Sequence, residues 1–217
     1  LLYICAAMYK NEITSPHYEE LSDRIFEIMA EKGLSSTTMD YLAKKLTISK
    51  RTLYEIFGSK DNMIKAILER MEKCHSDQVE EIIKRSANVM EALAEILLFH
   101  QKAMQRLSAK FFRDMDIRYR HLRSEYDNNT RKWRNSVWQA IKLGVRQGVL
   151  RKDVNYNIML PLFHVQMESL KRMEEFFPAE ITLIDAYRTI ALGTLRSIAT
   201  AKGMETLEKL TPKFHSM

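Results

Sequence analysis

The sequence is poor in residues that break helices: its 217 residues include 6 Gly and 4 Pro. No Gly/Ser-rich linker interrupts it, so long stretches are free to stay helical. The two cysteines, Cys5 and Cys74, form no spaced set, which fits a reducing cytosol better than a disulfide scaffold. There is no Gly-rich phosphate loop, no His-x-x-x-His pair and no Cys–His–acid set. Nucleophilic, metal-assisted and phosphoryl-transfer chemistries therefore lack their usual residues. Cys74 and His75 are neighbours, but adjacent side chains on a helix point about 100° apart, a poor geometry for a dyad or a shared metal. We expect no enzyme, no metal and no cofactor. No run approaches the roughly 20 apolar residues of a membrane span, and no membrane partner is expected. The opening "LLYICAAMYK" lacks the basic flank of a signal peptide, and residues 1–15 are read as an N-terminal extension.

What remains is ordinary for a globular protein with a core, at 46% hydrophobic and 29% charged residues. The net charge of +6 is unevenly placed: residues 1–74 hold 11 Lys+Arg against 11 Asp+Glu, so the rest of the chain carries the excess. Within Thr38–Lys60, however, Lys44, Lys45, Lys50, Arg51 and Lys60 face only Asp40 and Glu55. Local charge says more here than total charge. Apolar residues recur at helical spacing and nothing alternates with period two for long, so the chain is predicted to be all-α.

The first helix is expected over 16–32, with Leu21, Ile25, Ile28 and Met29 on one face and Gly33 as its stop. A second begins at "SSTT", with Thr37 or Thr38 as cap and Met39, Leu42, Ala43 and Leu46 facing inward. Ser49 caps a third, whose inward face is Leu53, Ile56 and Phe57, and Gly58-Ser59 ends it. Lys60-Asp61 opens a fourth. Further helices are expected near 88–107, 109–120, 125–147, 156–176 and 181–201. "GVLRKDVN" is a connector in which Asp153 or Asn155 caps the next helix, and Pro161 kinks or starts that helix.

Two short helices on a common core, joined by a tight turn, make a helix-turn-helix. With its apolar side turned in, the third helix presents Lys50, Arg51, Tyr54 and Glu55 outward. Its N-terminus then offers two cations, the Ser49 hydroxyl and unpaired N–H groups, an arrangement for entering a major groove of double-stranded DNA. Thr38 and Lys60, at the starts of the flanking helices, are placed to hold backbone phosphates. For Lys44 and Lys45 a solvated face is the simpler reading.

The span "FEIMAEKGLSSTTMDYLAKKLTISKRTLYEIFGSKDNMIKAILERM", Phe26 to Met71, resembles the DNA-binding domain of the tetracycline-repressor (TetR) family of transcriptional regulators. The likeness lies in a helix ending Glu-Lys-Gly, a Thr-Thr pair opening the second helix, and "SKRTLYEIF-SK" running into the fourth. It implies that Thr38, Tyr54 and Lys60 hold phosphates while Lys50, Arg51 and Thr52 lie nearest the bases. Thr47 stands where the family usually has a turn glycine, and a Thr at positive φ carries strain.

The resemblance further implies a domain at 16–62 for DNA and one at 63–217 for effector binding and dimerisation, the last two long helices pairing with their copies. Ile181, Leu183, Ile184, Tyr187, Ile190, Ala191, Leu195 and Ile198 leave the final helix apolar over more than one stripe. That breadth calls for partners on two sides, and a homodimer supplies one. Phe99, Met104, Phe112, Met115, Trp138, Phe163, His164 and Met167 are candidates to line a pocket for a small-molecule effector of unknown identity, although such residues usually just pack. His100 and His164 are read as core histidines. Lys102–Lys152 holds 14 Lys+Arg against four acids, with "RYRHLR" and "RKWR" densest. This region is either a solvated basic face or a site for an anionic ligand or membrane surface, the latter making the chain a helical adaptor. The leading expectation is a dimeric, ligand-responsive repressor on a palindromic operator, located in the cytoplasm.

Overall fold

The computed structural model describes residues 16–119, 121–122 and 127–216; the expected extension over 1–15 lies outside them. The helices run α1 (Pro16–Lys32), α2 (Met39–Leu46), α3 (Lys50–Phe57), α4 (Lys60–Arg85), α5 (Val89–Gln105), α6 (Ala109–Ile117), α7 (Asp127–Arg146), α8 (Tyr156–Ser169), α9 (Met173–Phe176), α10 (Leu183–Ile198) and α11 (Ala201–His215). Among the described residues the β-structure consists of one isolated bridge, Leu150 with Ala199. The fold is all-α. Its described residues form two compact units, those within 16–76 with those within 106–130, and those within 77–105 with those within 131–216.

In the N-terminal unit, α1 stops where Gly33 turns to φ +87° and returns its N–H to the Met29 carbonyl at 2.8 Å. A side chain at Gly33 would also collide with Lys110, whose Cγ lies 2.7 Å from an ideal Cβ, so glycine lets α6 approach this loop. The core joins Ile25, Met29, Leu34, Leu42, Leu53, Phe57, Met63 and Ile64 with Phe111 and Met115 of α6. The sequence-based boundary at 62/63 does not coincide with this division. The buried face of α6 draws residues from beyond position 105 into the unit, which also keeps the first half of α4.

In the C-terminal unit α5 packs against α10 and α11. Tyr187 donates to the Leu97 carbonyl at 2.8 Å, and the Gln101 amide donates to the Phe214 carbonyl at 3.1 Å. The connector and the start of α11, two fragments far apart in sequence, lock together. Thr200 Oγ1 donates to the Gly148 carbonyl at 2.6 Å and Thr200 N–H to Val149 at 3.1 Å, while Arg151 N–H donates to Ile198 at 2.8 Å. Asn155 caps α8.

Two expected helices end differently. The segment 156–176 is α8, a 3-10 turn over Leu170–Arg172 and the short α9. Pro161 is the sixth residue of α8 rather than its start. The last segment does not run through to 201: Ala199 is extended, Thr200 caps a new helix, and α11 begins there. The Thr200 hydroxyl accepts from Gly203 N–H at 3.1 Å and so starts α11 after the extended Ala199.

Candidate nucleic-acid interface

The helix-turn-helix is built by caps. Thr38, not Thr37, caps α2, its hydroxyl accepting from Tyr41 N–H at 3.1 Å. Thr37 is buried and donates to the Gly33 carbonyl at 2.7 Å, tying the loop to the end of α1. Past α2, Thr47 lies at φ 57°, ψ 41°, and Ile48 N–H reaches back to the Ala43 carbonyl at 3.1 Å. This is a Schellman closure with its left-handed residue at Thr47. Ile48 packs against the core, so the closure fixes where the chain leaves for α3. Ser49 then caps α3 by accepting from Thr52 N–H at 2.9 Å, and its hydroxyl lies 2.8 Å from that of Thr52.

On α3 the buried positions are Leu53 and Phe57. Ile56, expected to face inward, is 39% exposed. On an eight-residue helix the pair four apart defines the buried line, and Ile56 falls at its margin. The outer face carries Lys50, Arg51, Tyr54 and Glu55, all exposed. Lys50 Nζ lies 2.8 Å from Asp40 of α2, and that hydrogen bond raises its pKa, keeping it cationic at neutral pH. Arg51 Nε pairs with Glu55 at 2.8 Å. Both pairs are open to water, where such contacts are weak and salt-screened, so little holds either cation from another partner. Thr52 is half-buried.

Lys60 is placed differently from the others. It is half-buried and donates to the Leu34 carbonyl at 2.7 Å. Burial lowers its pKa, with Asp114 opposing. Asp114 of α6 accepts from Ser35 N–H at 2.7 Å and Ser35 Oγ at 2.6 Å. Neither Ser35 nor Asp114 carried any sequence signal, because the partners are 79 residues apart. Lys32 lies over the Tyr41 ring at 3.6 Å, beside a shallow groove lined by Ile28, Glu31, Lys32, Tyr41 and Lys45.

The eight candidate effector-lining residues do not share one unit. Phe112 and Met115 belong to the N-terminal unit, and Met115 is part of its core. Phe99, Met104, Trp138, Phe163, His164 and Met167 belong to the C-terminal unit. Met104 and Met167 are buried, Phe99, Trp138 and Phe163 half-buried, and His164 is exposed. His100 is buried as expected of a core histidine, but His164 is not. It lies on a helix whose Ile158, Leu162 and Val165 are 56%, 53% and 63% exposed. Of the basic region, Arg120, Arg123 and the side chains of "RKWR" lie outside the described residues.

Residues 22–67 match the model of bacterial regulatory proteins, tetR family. The biofilm operon icaADBC HTH-type negative transcriptional regulator IcaR of Staphylococcus aureus is 26% identical over 124 residues, 57% of this chain and 61% of that one. The chain thus spans about three fifths of that relative's length. The uncharacterized HTH-type transcriptional regulator YvaF of Bacillus subtilis is 35% identical over 85 residues, 38% of this chain and 44% of that one. A solved transcriptional regulator from Saccharomonospora viridis, in complex with choline, shares the fold with a TM-score of 0.67 at 16% identity, over 86% of this chain and 100% of that one. The capped helix-turn-helix lies inside the matched residues, and in that part the chain is similar to bacterial regulatory proteins of the tetR family.

Proposed function

We propose that the chain is a sequence-specific DNA-binding regulator, a homodimeric, ligand-responsive repressor that binds a palindromic operator in the cytoplasm. The observation that carries this reading is α3 itself: a Ser49-capped N-terminus exposes Lys50 and Arg51 over a buried Leu53–Phe57 line. Lys50, Arg51 and Thr52 lie nearest the base edges there, and Thr38, Ser49, Tyr54 and Lys60 hold the sugar-phosphate backbone around them. Repression is supported by the likeness to a negative regulator, and a small effector by the likeness to a choline complex. The dimer face is α8, where Ile158, Leu162 and Val165 form one apolar line open to water in the single chain. A two-fold dimer sets two copies of α3 on half-sites of the same symmetry.

Selection of purified protein on a randomised duplex pool tests the reading. The expected product is a palindromic consensus whose binding disappears when Lys50, Arg51 and Tyr54 are replaced by Ala. Enrichment of no sequence, with only weak salt-sensitive binding that survives the triple replacement, refutes it.

A further inference from the structure

The end of α6 lies beside the start of α4, and contacts on either side of Arg118 hold it there. One turn before it, Asp114 grips Ser35 through both carboxylate oxygens. Three residues after it, His121 Nε2 lies 3.4 Å from Asp61 Oδ2. Between them Arg118, whose N–H closes the helix on the Asp114 carbonyl at 2.9 Å, is exposed. Lys60 sits in the same neighbourhood, bound to the Leu34 carbonyl that immediately precedes Ser35. Burial and the Arg118 guanidinium both depress the Lys60 pKa, against Asp114 and Asp61.

The end of α6 that carries Arg118 and the start of α4 that carries Lys60 are thus held in one neighbourhood, where the nearby acids are engaged: Asp114 by Ser35, and Asp61 by His121. The Lys60 ammonium has three donors and spends one on Leu34. An arginine fork matches the oxygens of a phosphate, the anion of the DNA backbone. A shared anion would turn the repulsion of the pair into two attractions. We propose that Arg118 and Lys60 together hold one backbone phosphate of DNA, so that the contact surface continues from the helix-turn-helix onto α6. This rests on the DNA-binding reading above. It makes the position of α6 directly sensitive to bound DNA, through a residue well outside the matched motif.

The test is a salt titration of binding by the full chain to a short duplex, read by fluorescence anisotropy. Arg118→Gln is expected to lower the slope of log affinity against log salt by about 0.9 for each phosphate that is no longer neutralised. Arg113→Gln removes another exposed arginine of α6 and is expected to leave the slope unchanged. On a Lys60→Gln background, Arg118→Gln should cost less affinity than it does alone, as for partners on one phosphate. A slope for Arg118→Gln equal to that of Arg113→Gln, or fully additive effects with Lys60→Gln, overturns the proposal. If Lys50→Ala with Arg51→Ala abolishes binding while Arg118→Gln changes nothing, only this inference falls. If the unmodified chain binds no duplex, the DNA reading falls with it. Inorganic phosphate that stabilises the unmodified chain but not Arg118→Gln, with unaltered salt slopes, would assign the pair to a free anion and overturn the DNA assignment.

Discussion

Replacing Thr47 by Gly should stabilise the N-terminal unit. Thr47 is the one non-glycine residue at positive φ among the described residues. Holding an L-residue there costs about 1–2 kcal/mol, and β-branching places Thr among the worst suited. Glycine removes that cost but gives up more chain freedom on folding, about 0.5–1 kcal/mol. The balance is a gain of about 0.5–1 kcal/mol, or roughly 1–4 °C in Tm for a chain of this size. The strained residue persists because Ile48 N–H closes the turn on Ala43 and the Ile48 side chain joins the core. That packing contributes on the order of 1 kcal/mol for a half-buried side chain, enough to offset the strain. Thermal unfolding by circular dichroism measures the shift, read at the transition that Leu53→Ala also moves, since Leu53 is wholly buried in this unit. Thr47→Asn should fall between Thr and Gly, because Asn tolerates the left-handed region better. A Thr47→Gly midpoint at or below that of the unmodified chain would refute the reasoning and mean that the turn is reached by another backbone path.

Gly203→Ala should destabilise the C-terminal unit by about 1–3 kcal/mol or more, since its Cβ would lie 2.1 Å from the Val149 carbonyl oxygen; urea denaturation midpoints report it. Leu162→Glu with Val165→Glu should convert a dimer to monomers by light scattering, each apolar residue removed from a two-fold interface counting twice, about 3–6 kcal/mol. Stability should be greatest between about pH 4.5 and 6.5, the interval in which two shifted groups of α4 oppose each other. Burial, with Glu69 adding, pushes Glu72 from 4.5 up to about 8, and burial pushes His75 from 6.5 down to about 4. The folded chain keeps the Glu72 proton that the unfolded chain has released, so stability falls as pH rises from 6.5 to about 8. The unfolded chain takes a His75 proton that the folded chain refuses, so His75 alone lowers stability as pH falls from 6.5 to about 4. Denaturation midpoints across pH should show the alkaline limb flattened in Glu72→Gln.

What could be read from the sequence was whatever is decided within four residues. Gly33 and Gly58 stop their helices, and Thr38 or its neighbour and Ser49 start theirs. Each depends on a side chain or a φ angle acting on its own backbone, so periodicity and cap chemistry suffice. The same rules blurred where an apolar residue sits at the edge of a stripe. Ile56 is adjacent to Phe57 and three from Leu53, and only the surrounding core decides which of these stays dry. They also failed where two helices run on from each other without glycine or proline, as at Ala199-Thr200 between α10 and α11.

The contacts around Lys60 belong to a third kind. Ser35 and Asp114 meet across 79 residues and Lys60 and Leu34 across 26, and none of the four stands in a recognisable pattern with its partner. A motif can name Lys60 as a phosphate ligand because that role is local to the start of a helix. It cannot show that the ammonium is already bound to a loop carbonyl, or that Asp114 of α6 ties down the next residue of that loop. The helix-turn-helix is thus a short-range object, specified by caps and turns, set on long-range contacts that decide how its cations are presented. For this reason the proposed DNA contacts call for substitutions in α6 as much as in α3.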